Sequence, residues 1–296
     1  MIFTTIRAIA IAGLVATTLP WSEGPPAATG NQPPAFDHDY TAYGALLGRV
    51  VREPRVDYQQ LKASTTSLAE VEASLAAVTT ADLAGWSTNQ QMAFWINAYN
   101  LFTLRAIVDH YPIKGSFFSL GPRNSIRQID GVWSRLKWQA AGRSLTLDDI
   151  EHKILRPEFK EPLVHFALNC ASASCPVLWA AAYRADGLER QLEAAARRYL
   201  SSAQGLVLSG TTVSVSSIFK WYGDDFVERF ETAGPAQGSP KDRAVLGAIA
   251  TYGPDAARAA ARSDRVRLRF LDYDWSLNDV IRQGAAPRLN AMGEQK

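Results

Sequence analysis

Apolar residues recur at helical spacing through the first half of the chain. Tyr40, Tyr43, Leu46, Leu47 and Val50 fall on one face of a helix predicted over 40–51, with Pro54 ending it. Leu68, Val71, Leu75 and Val78 make a second amphipathic stripe over 68–78. Residues 90–111, QQMAFWINAYNLFTLRAIVDHY, are apolar all round, which predicts a buried central helix stopped by Pro112. Asn97 and Asn100 lie one turn apart on it. Buried amides need partners, so this pair either bonds to neighbouring backbone or lines a polar substrate pocket.

The pattern then changes period. Over 123–147 the turn signals Asp130-Gly131 and Ala141-Gly142 separate short alternating runs, predicting β-hairpins. A short helix follows over 147–156. Thr146 with Asp149 three residues later opens it in the manner of a capping box, and Pro157 closes it. Residues 163–169 alternate as a strand does: Val164, Phe166 and Leu168 on one face, His165, Ala167 and Asn169 on the other. Beyond them come a helix over 186–202, a hairpin in LVLSGTTVSVS, a helix from IFKWYGDDFVERF, an Ala-rich helix over 243–262 and a strand in VRLRFLDYDW. Helices and hairpins in mixed order, without a βαβ period, predict an α+β fold: a buried central helix packed against an antiparallel sheet with hairpins.

Composition adds that the core is full, at 47% hydrophobic and 20% charged residues. A net charge of +2 with no basic stripe leaves nucleic acid out of the expected partners. The opening MIFTTIRAIAIAGLVATTLPW has Arg7 ahead of an uncharged run too short to span a bilayer. It reads as a signal peptide over 1–21, with an uncleaved anchor as the alternative. The expected location is periplasmic or secreted, and a membrane is a partner only if the segment stays attached. Residues 22–35, SEGPPAATGNQPPA, read as a flexible linker, 36–280 as one domain and 281–296 as a tail.

The candidate chemistry concentrates in HFALNCASASCPVL, residues 165–178, which holds both cysteines. Pro176 suits the first position of a helix, which would make Cys175 its N-cap and lower the thiol pKa through the helix dipole. Cys175 is therefore the nucleophile candidate, with small neighbours, Ser174 among them, leaving room for a substrate. His165 is the candidate base, or a hydrogen-bonded core histidine. Asn169 could orient the imidazole or cap the loop. Glu151 shares a helix face with Leu147, Ile150 and Ile154, so its carboxylate needs a partner: the imidazole or an arginine. His152 points elsewhere and is the alternative base. A competing reading pairs Cys170 with Cys175 in a small, redox-labile disulfide. His165, Cys170 and Cys175 lack zinc-like spacing, and the Asp-His-Asp cluster at His38 reads first as a helix cap. No metal and no cofactor are expected.

Six ordered blocks carry a resemblance: FDHDYTAYGALL with RVDYQQL, FWINAYNLFTLRAIVDHYPI, LTLDDIEHKILR, HFALNCASASCP, IFKWYGDDF and FLDYDWSLN. Together, over 36–278, the chain resembles the domain of unknown function 547 family. That resemblance implies a papain/transglutaminase-like cysteine-enzyme layout of thiol, imidazole and carboxylate or amide. Here the histidine precedes the cysteines, the reverse of the papain order. The expected function is amide hydrolysis or acyl transfer on a peptide or small amide. Cys175 would attack, His165 would move the proton, and Glu151 or Asn169 would orient the ring. The alternative is a non-enzymatic periplasmic binding or scaffolding module for a protein partner, with an inert Cys170–Cys175 pair.

Overall fold

The first amides of a helix need acceptors, and Asp37 supplies them. Its carboxylate accepts from the N–H of Asp39 at 2.9 Å and of Thr41 at 2.8 Å, opening α1 (Thr41–Val50). The Asp-His-Asp cluster is thus a helix-entry cap, with the His38 ring edge-on to Trp86. The structure, a computed structural model, describes residues 35–115 and 121–280, together with Met1. The remainder of the leader, the linker up to residue 34 and the tail from 281 lie outside the described residues. The chain from Phe36 onward gathers into one unit.

α1 ends at Val50, before Pro54, because β1 (Val51–Arg52) and β2 (Arg55–Val56) pair antiparallel around the Glu53-Pro54 turn. Three short helices follow, α2 (Tyr58–Ala63), α3 (Thr65–Ala77) and α4 (Thr80–Ala84). Ser87 and Gln90 then form a reciprocal capping box at the start of α5 (Thr88–His110). α5 is the central helix that its all-round apolar pattern predicts, buried from Met92 to Leu104 without a break. Its principal neighbours are α2, α3 and a π-helix, Asp149–Phe159, rather than a sheet. It meets a strand where Phe102 stacks on Trp138, ring centroids 5.4 Å apart.

Among the described residues the predicted antiparallel sheet is replaced by three small sheets. β3 (Trp138–Ala140) and β4 (Arg143–Leu145) form one hairpin; Ala141 and Gly142 both take positive φ, the two-residue turn that matches strand twist. The run before it, 123–137, forms no hairpin. Arg135 and Leu136 both donate to Gly131 O, at 2.8 and 3.1 Å, so local turns consume the amides a ladder would need. The helix predicted over 147–156 is the π-helix. Thr146 and Asp149 exchange hydrogen bonds of 3.0 Å at its start, and it passes through Pro157 to end at left-handed Lys160.

The strand predicted over 163–169 is a 3-10 turn, Pro162–Phe166, capped by the Glu161 carboxylate on Leu163 N–H at 2.9 Å. Every residue from Pro162 to Asn169 is buried, so burial on both sides, not one strand face, explains the apolar residues there. Next come α6 (Leu188–Leu200) and the hairpin β5 (Leu206–Ser209) and β6 (Thr212–Val215). α7 (Ser217–Tyr222), a 3-10 turn Gly223–Phe226, α8 (Val227–Phe230), α9 (Pro240–Tyr252) and α10 (Asp255–Ala261) lead to β7 (Arg267–Phe270). β7 pairs parallel to β6, as the helical crossover between them requires. The Ala-rich helix predicted as continuous breaks at Gly253-Pro254. The fold is α+β. Among the described residues no helix is long and apolar enough to cross a membrane.

Candidate active site

The two cysteines sit on a loop folded back on itself. Ala171 takes φ 60°, in the left-handed region, and Cys175 N–H donates to Ser172 O at 3.1 Å. The segment 271–278 straps this loop: Ala173 N–H donates to Ser276 O at 2.7 Å, and Asn278 N–H to Ala171 O at 3.0 Å. The fold-back brings the thiols together. Cys170 N–H donates to Cys175 Sγ at 2.8 Å, while Ser172 Oγ and Tyr273 OH lie 3.2 and 3.4 Å from Cys170 Sγ. Both cysteines are free, so the bridged pair is not what this structure holds.

The Cys175 N-cap reading is corrected. No helix follows Pro176; the chain runs irregularly to α6, so no dipole acts on that sulfur. Burial pushes the Cys175 thiol up, and the bond to Cys170 pushes it further. Cys170 goes the other way. The interaction with Cys175, helped by the Ser172 and Tyr273 hydroxyls, outweighs burial and brings it down to about 7. Of the two sulfurs, Cys170 is the more exposed and the more readily ionised. Thiolate is the reactive form. The rate of Cys170 alkylation by iodoacetamide is expected to rise with pH through a midpoint near 7 and level off above it, read by peptide mapping. A midpoint at the free-thiol value, about 8.5, contradicts the pairing.

His165 is buried in its 3-10 turn. Its Nε2 lies 2.8 Å from Asp225 Oδ2, and the ring stacks on Tyr222 with centroids 4.2 Å apart. Asp225 also receives a fork from Arg156, Nε at 2.6 Å and Nη2 at 2.9 Å. Burial works against the Asp225 charge. The bonds from His165 and Arg156 outweigh it and hold the carboxyl below the usual carboxylate range. With Nε2–H committed to Asp225, Nδ1 is the nitrogen left to exchange a proton with a substrate. The side chain that binds the His165 ring is therefore the Asp225 carboxylate, not the Glu151 carboxylate or the Asn169 amide.

Cys170, Cys175, His165, Glu151 and His152 all line one cavity of about 440 Å³. Glu151 bonds to the Tyr222 hydroxyl, whose own pKa is raised by burial and by the Glu151 charge. His152 stays half-exposed, 3.7 Å from Asp148 and 3.2 Å from Arg156 Nη1. The other site candidates are elsewhere. Asn97 clamps the backbone of Tyr183, donating to its carbonyl at 2.7 Å and accepting its N–H at 3.0 Å. Asn100 clamps Ala167 O at 3.0 Å and Asn169 N–H at 2.8 Å. Asn169 accepts Ala171 N–H at 3.0 Å and donates to Pro176 O at 2.7 Å, organising the cysteine loop. Ser174 Oγ accepts from Asp274 N–H at 2.9 Å. None of Asn97, Asn100, Asn169 and Ser174 lines the cavity; each satisfies buried backbone, which is where a short polar side chain goes when the fold leaves an amide unpaired. Asn100→Ala is expected to cost roughly 2–4 kcal/mol in urea unfolding, because it strands a buried N–H and a buried C=O. A loss under about 1 kcal/mol contradicts the clamp.

Asp225, Arg156, Tyr222 and Tyr273 were not singled out from the sequence. Their signal lay in three of the quoted blocks: LTLDDIEHKILR ends on Arg156, IFKWYGDDF holds Tyr222 and Asp225, and FLDYDWSLN alternates acids with aromatics around Tyr273. Among the described residues no group of three or more histidine, cysteine or acidic side chains could hold a metal ion.

Fold and site together define an α+β protein in which two thiols and an aspartate-bound histidine share a cavity. Residues 83–200 match the family described as protein of unknown function, DUF547. Comparison with curated proteins returned no match. Comparison with solved structures likewise returned none.

Proposed function

We propose that the protein is a thiol-dependent amide hydrolase or acyl transferase in which Cys170, rather than Cys175, is the nucleophile. The observation that carries this is that a lowered-pKa sulfur and a carboxylate-bound imidazole line the same cavity. The Cys170 thiolate forms a bond to the acyl carbon, and the Ser172 and Tyr273 hydroxyls beside the sulfur can donate to the developing oxyanion. The C–N bond breaks and the departing amine takes a proton from the His165 imidazolium. Water or a second amine then attacks the thioester, giving its proton to His165 and returning the sulfur as thiolate. Asp225 is a positioning residue: it fixes the ring and balances the imidazolium charge, and Arg156 fixes Asp225. The leader-like segment 1–21 supports a periplasmic or secreted setting for this chemistry.

p-Nitrophenyl acetate tests the proposal without knowledge of the natural substrate. The expected result is a burst of one equivalent of nitrophenolate per chain, followed by slower turnover. Absence of a burst, with the thiols shown to be free, contradicts it.

A further inference from the structure

The charged groups lining the Cys170 cavity are two carboxylates, Asp148 and Glu151, and the imidazoles of His152 and His165; among the described residues no lysine or arginine lines it. Glu151 is 7% exposed and forms no ion pair among the described residues. Arg156, five positions on, commits its fork to Asp225. Its counterparts are the Tyr222 hydroxyl and, at longer range, the Arg156 charge, so no cation bonds this buried carboxylate directly.

The second observation is aromatic. Six rings line the same cavity: Tyr99, Trp133, Trp221, Tyr222, Tyr273 and Trp275. Three of them form a corner, with Tyr273–Trp275 centroids 4.7 Å apart, Trp221–Tyr273 4.9 Å and Trp221–Trp275 5.8 Å. Trp221 is 43% exposed there, a large ring left facing solvent. Aromatic faces attract cations, most strongly where water is excluded. Arg127 lies over Trp275 at 5.3 Å and Arg156 over Tyr222 at 5.1 Å, so this wall already receives cations on its rings, and the exposed Trp221 beside the Glu151 acid asks for the same ligand chemistry.

We propose that the substrate of this cavity carries an alkylammonium group, held by Glu151 and by the aromatic faces beside it. A volume of about 440 Å³ admits a unit the size of a basic amino acid with its amide bond. The proposal rests on the acyl-transfer reading only in calling the occupant a substrate, since binding does not require the sulfur to react.

Nα-acetyl-lysine amide and Nα-acetyl-norleucine amide, which differ by an ammonium against a methyl, are the probes. The lysine amide is expected to quench tryptophan fluorescence saturably and to slow iodoacetamide capture of Cys170. It should act at roughly tenfold lower concentration than the norleucine amide. Glu151→Gln is expected to remove most of that preference, and Trp221→Leu, at the exposed rim, to reduce it where the Glu151 variant does not fold. Equal action of the two amides, no saturable effect of the lysine amide, or a preference untouched in both variants overturns the proposal. Ammonium binding in a protein that shows no acetate burst would leave the site standing and remove the acyl chemistry.

Discussion

Cys170→Ala is expected to abolish the nitrophenolate burst and to cut acyl transfer roughly a millionfold, the scale on which a nucleophile acts. Cys175→Ala is expected to keep the chemistry and change its pH dependence. The bond from Cys175 is the largest influence lowering Cys170, so its loss should move the alkylation midpoint upward from about 7. The two variants separate the roles because the sulfurs are unlike in setting. Cys175 is buried and accepts the Cys170 N–H, whereas Cys170 is half-buried and flanked by two hydroxyls. The reverse outcome, activity lost in Cys175→Ala and kept in Cys170→Ala, would assign the nucleophile to the inner sulfur. Thermal unfolding of both variants distinguishes lost chemistry from a lost fold.

Asp225→Asn carries the next largest effect. The amide keeps the shape of the carboxylate but not its charge, and it can present its NH₂ to Nε2, favouring the wrong imidazole tautomer. Acylation is expected to fall roughly ten-thousandfold, most of it in kcat, while alkylation of Cys170 keeps its midpoint near 7, since Asp225 is not among the groups that lower it. Asp224→Asn is the control. Asp224 is exposed and pairs with Lys241 at 3.1 Å, so activity should stay within about twofold. A loss below about tenfold in Asp225→Asn would show that the dyad serves packing rather than proton transfer.

The helices were legible where period and caps agreed. α5 follows from its apolar run, and the Thr146–Asp149 box opens the π-helix where the spacing places it. The strand reading of 163–169 failed because total burial hides face periodicity: when every position is inside, alternation of apolar residues carries no information about which backbone is present. Of the two readings of Asn97 and Asn100, backbone bonding is the one found, with partners far along the chain that the sequence does not name. His165 and the cysteines announced themselves as chemistry-bearing types in one short stretch. Asp225 did not, because its meeting with His165 spans sixty residues and depends on how α7 and its following turn pack against the π-helix. Glu151 was read correctly as an acid inside an apolar face; its partner in this structure is Tyr222 rather than an imidazole.

The most direct measurement is the position of the acetyl group after p-nitrophenyl acetate is stopped by acid during the burst. Peptide mapping by mass spectrometry is expected to find it on Cys170. Finding it on Cys175, on a lysine or hydroxyl, or nowhere would contradict the claim that this cavity arms Cys170 for acyl chemistry.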